Sequence, residues 1–170
     1  MTKSSIRRSM RILTALALLG ASGIGHAQVA STTSSSFPYE RVDSIVVRYD
    51  AFATRAASYQ LTITRAGEVR YDPGPRARAR TTTRPIAPVT FSSLVSQAQT
   101  ARFAEIPDVI VMGDPRFCPV VLTDAPTMTV VLYLPDRAKR VADYLGCGWV
   151  PAALRDFERA IERAAGIAQS

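Results

Sequence analysis

The chain has 170 residues, with 21 lysines and arginines against 14 aspartates and glutamates and a formal net charge of +7. That length suits one ordinary domain. A single histidine, His26, and only two cysteines, Cys118 and Cys147, leave little material for His-based nucleophilic catalysis or for a thiolate and imidazole metal centre.

Residues 1–27 read as an export signal. Lys3, Arg7, Arg8 and Arg11 form a basic start, Ile12 to Leu19 an apolar core, and Gly25-His26-Ala27 a small-residue cleavage site before Gln28. Gly20, Ser22 and Gly23 interrupt the apolar run, which is short of the roughly 20 residues a spanning helix needs, so no membrane span is expected after cleavage. The residues after Arg7-Arg8 fit the twin-arginine pattern poorly, and ordinary secretion to a periplasmic or extracellular destination is the expectation. Cleavage would take His26 and four basic residues but no acidic one, leaving a charge of +3 with 16 arginines and one lysine. So small an excess gives no electrostatic case for a nucleic-acid partner.

Gln28 to Ser36 is rich in serine and threonine, and residues 28–40 are expected to form a flexible leader to a single domain over 41–167. Ile45, Val47 and Tyr49 alternate with polar or less buried neighbours. Tyr59, Leu61 and Ile63 do the same, as do Val69 and Tyr71 beyond a turn at Ala66-Gly67. This period of two predicts three strands, the last two a hairpin. Pro73-Gly74-Pro75 stops the run, and Arg76, Arg78 and Arg80 resume it, which in a strand sets three guanidinium groups on one face about 6–7 Å apart. A helix is predicted from Thr90, as N-cap, to Arg102, with Phe91, Leu94, Val95, Ala98 and Ala101 on its apolar face.

After an irregular segment punctuated by Pro107, Pro115 and Pro119, Met128, Val130, Leu132 and Leu134 mark a central strand. A turn at Pro135-Asp136 leads to another strand over Lys139 to Tyr144. Pro151 then opens a last helix, with Leu154, Phe157, Ile161 and Ala164 or Ala165 as its buried stripe. The order predicts an α+β fold, a mostly antiparallel sheet of five to six strands with two helices packed on one face.

The segments Thr123-Asp124-Ala125-Pro126-Thr127, Lys139-Arg140-Val141-Ala142-Asp143-Tyr144 and Pro151-x-x-Leu154, with the earlier hairpin Tyr59 to Tyr71 and the helix Phe91 to Phe103, resemble the bacterial family catalogued as domain of unknown function 6438. The resemblance covers about residues 41 to 165 and implies an exported α+β domain, without an activity. The chain departs from that pattern around Phe52, Thr54, Ala56 and Ala57, where the family usually carries a cysteine-glycine-cysteine-proline stretch; no role of those cysteines transfers.

In an oxidising compartment Cys118 and Cys147 read as one structural disulfide. The alternative, a redox or metal role, lacks a Cys-x-x-Cys pair and histidine ligands. Arg76, Arg78, Arg80 and Arg84, with no acidic residue between Asp72 and Glu105, are candidates for contact with an anionic partner; the plainer reading is a charged edge strand that deters aggregation. Asp124, two residues before Pro126, fits a turn whose side chain bonds its own backbone. As a catalytic carboxylate it would need a second aspartate such as Asp114 or Asp143. A nucleophilic serine would have Lys139 as its one available lysine base in the exported part, and Gly146-Cys147-Gly148 lacks the pattern of a phosphate loop. Trp149 is expected to cap the core over the disulfide. No catalytic, cofactor or metal residue is assigned. The expectation is a non-enzymatic exported domain that binds a protein or envelope component through the sheet face or the arginine-bearing edge; the alternative is a small hydrolase or lyase using Asp124 with a second aspartate.

Overall fold

The computed structural model describes residues 36–51, 58–75, 77, 79–120 and 122–167. The segment expected to be an export signal, most of the expected leader, the region of Phe52 to Ala57, and Arg76 and Arg78 lie outside the described residues. The fold is α+β. Among the described residues seven strands form one sheet: β1 (Ser44–Asp50), β2 (Tyr59–Thr64), β3 (Glu68–Pro73), β4 (Thr82–Pro85), β5 (Val109–Ile110), β6 (Thr127–Tyr133) and β7 (Ala138–Tyr144), in the order β4-β3-β2-β1-β6-β7-β5. Two helices, α1 (Pro88–Thr100) and α2 (Ala152–Ala164), pack against each other. No helix among the described residues is long and apolar enough to cross a membrane.

The sheet is mixed and wider than the five to six mostly antiparallel strands expected. Val109 and Ile110 pair in parallel with Ala142 and Asp143 of β7, because the chain leaving α1 returns to the far edge of the sheet in the direction of β7. Two residues between prolines carry no periodicity from which such a strand can be read.

Alternation sorts the sheet into two faces. Ile45, Val47, Leu61, Ile63, Val69, Met128, Val130, Leu132 and Val141 point to one side and are buried, where Phe91, Leu94 and Ala98 of α1 and Leu154, Phe157 and Ile161 of α2 cover them. Phe103 meets Phe157 edge-on, ring centres 5.8 Å apart. Phe37 and Tyr39, within the span expected to be leader, pack against this core, and the Tyr39 hydroxyl accepts a hydrogen bond from the backbone N–H of Ala104 at 2.9 Å. Among the described residues the opposite face carries no helix, as an antiparallel sheet with one wet side allows.

Local chemistry sets the joints. Gly67 turns the β2–β3 hairpin at φ +82°, and a Cβ there would meet the Ile86 carbonyl oxygen at 2.6 Å, so both conformation and space require glycine. Helix α1 begins two residues before the expected Thr90, with Ala87 as N-cap and Pro88 in the first turn, where the missing proline N–H costs nothing. Cys118 and Cys147 form the expected disulfide, Cα atoms 4.6 Å apart, and it fastens the segment after β5 to the turn between β7 and α2.

Candidate binding surface

The helix-free face is assembled by cross-strand register. One row reads Thr62, Val46, Val131, Arg140 across β2, β1, β6 and β7, and the next reads Gln60, Arg48, Thr129, Ala142. Paired residues in a sheet share a face, so Arg48 and Arg140 project from the same side, roughly 12 Å apart at Cα by strand spacing and rise. Ser44, Val46, Arg48, Gln60, Thr129, Val131, Tyr133 and Arg140 line a recess of about 660 Å³ between them. Val46 and Val131 are its half-buried floor, while both arginines are exposed and Tyr133 is 44% exposed. The Arg48 guanidinium donates to the Gln60 side-chain oxygen at 3.3 Å.

Two further recesses lie at the end of β1, both lined by Asp50, and the first of them shares Arg48 and Gln60 with the one above. One of about 500 Å³ runs beside Tyr49, Asp50, Ser58, Tyr59, Asp72 and Gly74. Its aromatic wall comes from Tyr49 and Tyr59, stacked with ring centres 5.0 Å apart and planes 6° from parallel. The other, about 410 Å³, is lined by Asp50, Met112, Thr123, Asp124, Thr127 and Tyr144. The Tyr144 hydroxyl anchors its rim, donating to the Leu122 carbonyl at 2.9 Å and accepting from the Ala125 N–H at 3.1 Å.

Arg76 and Arg78 of the arginine stripe lie outside the described residues. Ala77, Ala79, Arg80 and Thr81 lie outside the strands, and β4 starts at Thr82. Arg84 pairs with core-facing Val69, which turns its side chain toward the helices, and its guanidinium donates to the Ala164 carbonyl at 2.5 Å. It thereby satisfies a carbonyl at the negative end of α2. Arg80 is exposed.

Asp124 occupies the turn expected of it, in the left-handed region at φ +60°, a conformation aspartate tolerates better than most residues. Neither named partner meets it as a free carboxylate. Asp114 is held by Arg116, with Nη2 to Oδ2 at 2.9 Å, and this bond keeps its carboxyl below the usual range. Asp143 is fully buried on the core face of β7. The carboxylate that shares a recess with Asp124 is Asp50. Lys139 is equally committed, its ammonium donating to the Ile106 carbonyl at 2.6 Å and to Asp108 at 2.5 Å. Trp149 does not cap the core: its N–H ties the backbone to the Phe117 carbonyl at 3.2 Å, while the side chain is left 65% exposed.

A charged cluster that the sequence did not reveal lies under the sheet. Asp143 Oδ2 meets Arg155 Nη1 at 3.0 Å, and Glu158, almost fully buried, lies 3.6 Å from the same nitrogen. Burial pushes both carboxyls up, Asp143 to about 6 and Glu158 to about 9, and the Asp143 charge raises Glu158 further. Glu158 is thus the carboxyl of the two that holds a proton more firmly, while Asp143 is the one set closer to the Arg155 charge. Arg155 also donates to the Cys147 carbonyl at 3.3 Å. Beside this cluster the Tyr59 hydroxyl donates to Glu162 at 2.6 Å, and burial followed by that bond raises its pKa. The signal available in sequence was phase: Asp143 falls in step with core-facing Val141, and Glu158 lies one residue after Phe157 on the buried side of α2.

Among the described residues no group of three or more histidine, cysteine, aspartate or glutamate side chains is arranged to hold a metal ion. No family model matches the chain, and no curated protein matches it.

Proposed function

We propose that the chain is a non-enzymatic exported binding domain whose recognition surface is the helix-free face of the sheet, and that its partner is a protein or envelope component outside the cytoplasm. One observation carries the reading: that face is recessed and carries Arg48, Arg140, Tyr133 and Thr129 on adjacent strands, whereas the opposite face is spent on packing the helices. The disulfide supports residence in an oxidising compartment. The arginines near β4 are the weaker candidate, since Arg84 already serves as a helix cap.

The test is capture from native envelope extract by the purified protein, by Thr129→Glu, which fills and recharges the recess, and by the Arg76, Arg78 and Arg80 to alanine variant. Loss of the captured partner in the first variant and retention in the second supports the open face. The reverse pattern transfers the function to the arginine segment, and capture of nothing by the wild type discards the binding reading.

A second reading rests on Asp50 and Asp124 in one recess beside Tyr144, the pairing a carboxylate-dependent hydrolase or lyase requires. It predicts turnover of a small substrate that Asp50→Asn and Asp124→Asn both abolish without loss of folding.

A further inference from the structure

Resting on the open face as the binding surface, the geometry points to its ligand: we propose that the recess centred on Thr129 and Val131 binds an acidic polysaccharide, a run of sugar rings bearing carboxylates. The charge balance comes first. The described residues that line the recess include two guanidinium groups and no carboxylate, so the site selects an anion, and each arginine offers the planar fork that matches a carboxylate bidentately. Asp50, the next outward residue of β1 after Arg48, belongs to the neighbouring recesses and gives the basic trough an acidic flank that keeps an anionic chain on the rows of Arg48 and Arg140.

The remaining lining chemistry suits a polyhydroxylated ring. Ser44, Thr129 and Tyr133 supply hydroxyls and Gln60 an amide, each both donor and acceptor as a sugar hydroxyl is. The half-buried floor of Val46 and Val131 and the exposed ring of Tyr133 take the apolar C–H face of a pyranose, the pairing of one wet and one dry edge for which tyrosine is suited. The lining residues come from four adjacent strands, β2, β1, β6 and β7, so the trough runs across the sheet and admits a polymer that continues past both rims. An enclosed pocket for a small molecule would bury most of its ligand, and a protein-binding hot spot would present large apolar or aromatic anchors at its centre; here the centre is two recessed valines and a threonine.

The purified full chain is titrated calorimetrically with polygalacturonate, with the same polymer fully methyl-esterified, with neutral dextran, and with phosphatidylglycerol vesicles. Binding is expected for polygalacturonate alone, weakening as salt rises. Arg48→Ala and Arg140→Ala are each expected to weaken it about tenfold or more at unchanged Tm, with the paired lysine variants restoring it only in part. Arg48→Gln and Arg140→Gln give the same readout should an alanine variant fail to fold. Equal affinity for the esterified polymer, or full affinity in the protein carrying both Arg48→Ala and Arg140→Ala, overturns the proposal. So does a preference for the vesicles. If no acidic polysaccharide binds while Thr129→Glu still abolishes envelope capture, the ligand class is wrong and the binding face stands; if Thr129→Glu leaves capture intact, the face itself is wrong.

Discussion

At the scale of single residues, the buried carboxyl pair couples stability to pH. Glu158 keeps its proton in the folded protein well above the ordinary glutamate value of 4.5, while the unfolded chain releases it there. The folded state therefore binds more protons, and stability falls as pH rises from about 4.5 toward about 9, by at most about 1.4 kcal/mol per pH unit. Asp143, raised from 3.8 to about 6, adds in the same direction at the lower end of that window. Glu158→Gln keeps the shape of the side chain and removes the titration. Thermal melts from pH 5 to pH 9 should show the wild type declining throughout and the variant flat above about pH 6, where Asp143 has finished titrating, the variant being more stable at the alkaline end by about 1 kcal/mol or more; parallel curves would rule out Glu158 as the titrating group. Asp124 permits a separate check, since its left-handed backbone suits glycine and disfavours a branched side chain. Asp124→Gly should leave Tm unchanged or raised and Asp124→Val should cost about 1–2 kcal/mol, measured by urea denaturation.

At the scale of elements, the disulfide holds the segment between β5 and β6 to the entrance of α2. Closing a loop of 29 residues contributes about 3 kcal/mol in the chain-entropy model, so replacing Cys118 and Cys147 with serine should lower the unfolding free energy by about that amount, and reductant should shift the wild type to match. The same fastening accounts for the outward side chains of Leu122 and Trp149: their backbones are tied down, Leu122 N–H to the Gly146 carbonyl at 3.0 Å and Trp149 N–H to the Phe117 carbonyl at 3.2 Å, while their side chains stay uncovered. Elements with enough residues to show a period were readable in the sequence, as the alternation of Ile45 with Val47 and of Leu61 with Ile63 became β1 and β2. Elements set by tertiary pairing were not. Residues 76–80 alternate as well as any strand, yet β4 begins at Thr82, where Val69, Arg70 and Tyr71 give it partners; a period describes a face only once a neighbour exists to define it.

At the scale of the whole molecule, the candidate site is a product of register. Arg48, Thr129, Tyr133 and Arg140 are scattered over three strands, and no linear window displays them together, whereas Arg76 to Arg84 stand out in the sequence and two members of that run supply no shared surface among the described residues. The outward phase of Arg48 was implied by buried Val47, but the adjacency of β1 to β6, which brings it to Thr129, depends on the folded topology. Fold class, disulfide pairing and most helix faces were legible because each follows from local pattern or from a count of two cysteines. The wet face of the sheet was not, since polar residues follow no rule that packing imposes.

The β1–β6 pairing also orders the molecule in time. Strands β1 to β4 are a meander joined by local connections and β6–β7 a hairpin, but the seam between them unites residues 44–50 with 127–133, and such distant pairing is slow to form because the intervening chain must first be closed into a loop. A chain interrupted anywhere before Thr127 therefore carries Ile45 and Val47 on a strand whose second edge is bare, a template for association with its own copies. Completion of synthesis, rather than any covalent link, is what removes that hazard, and truncated products should accumulate as aggregates while the finished protein does not.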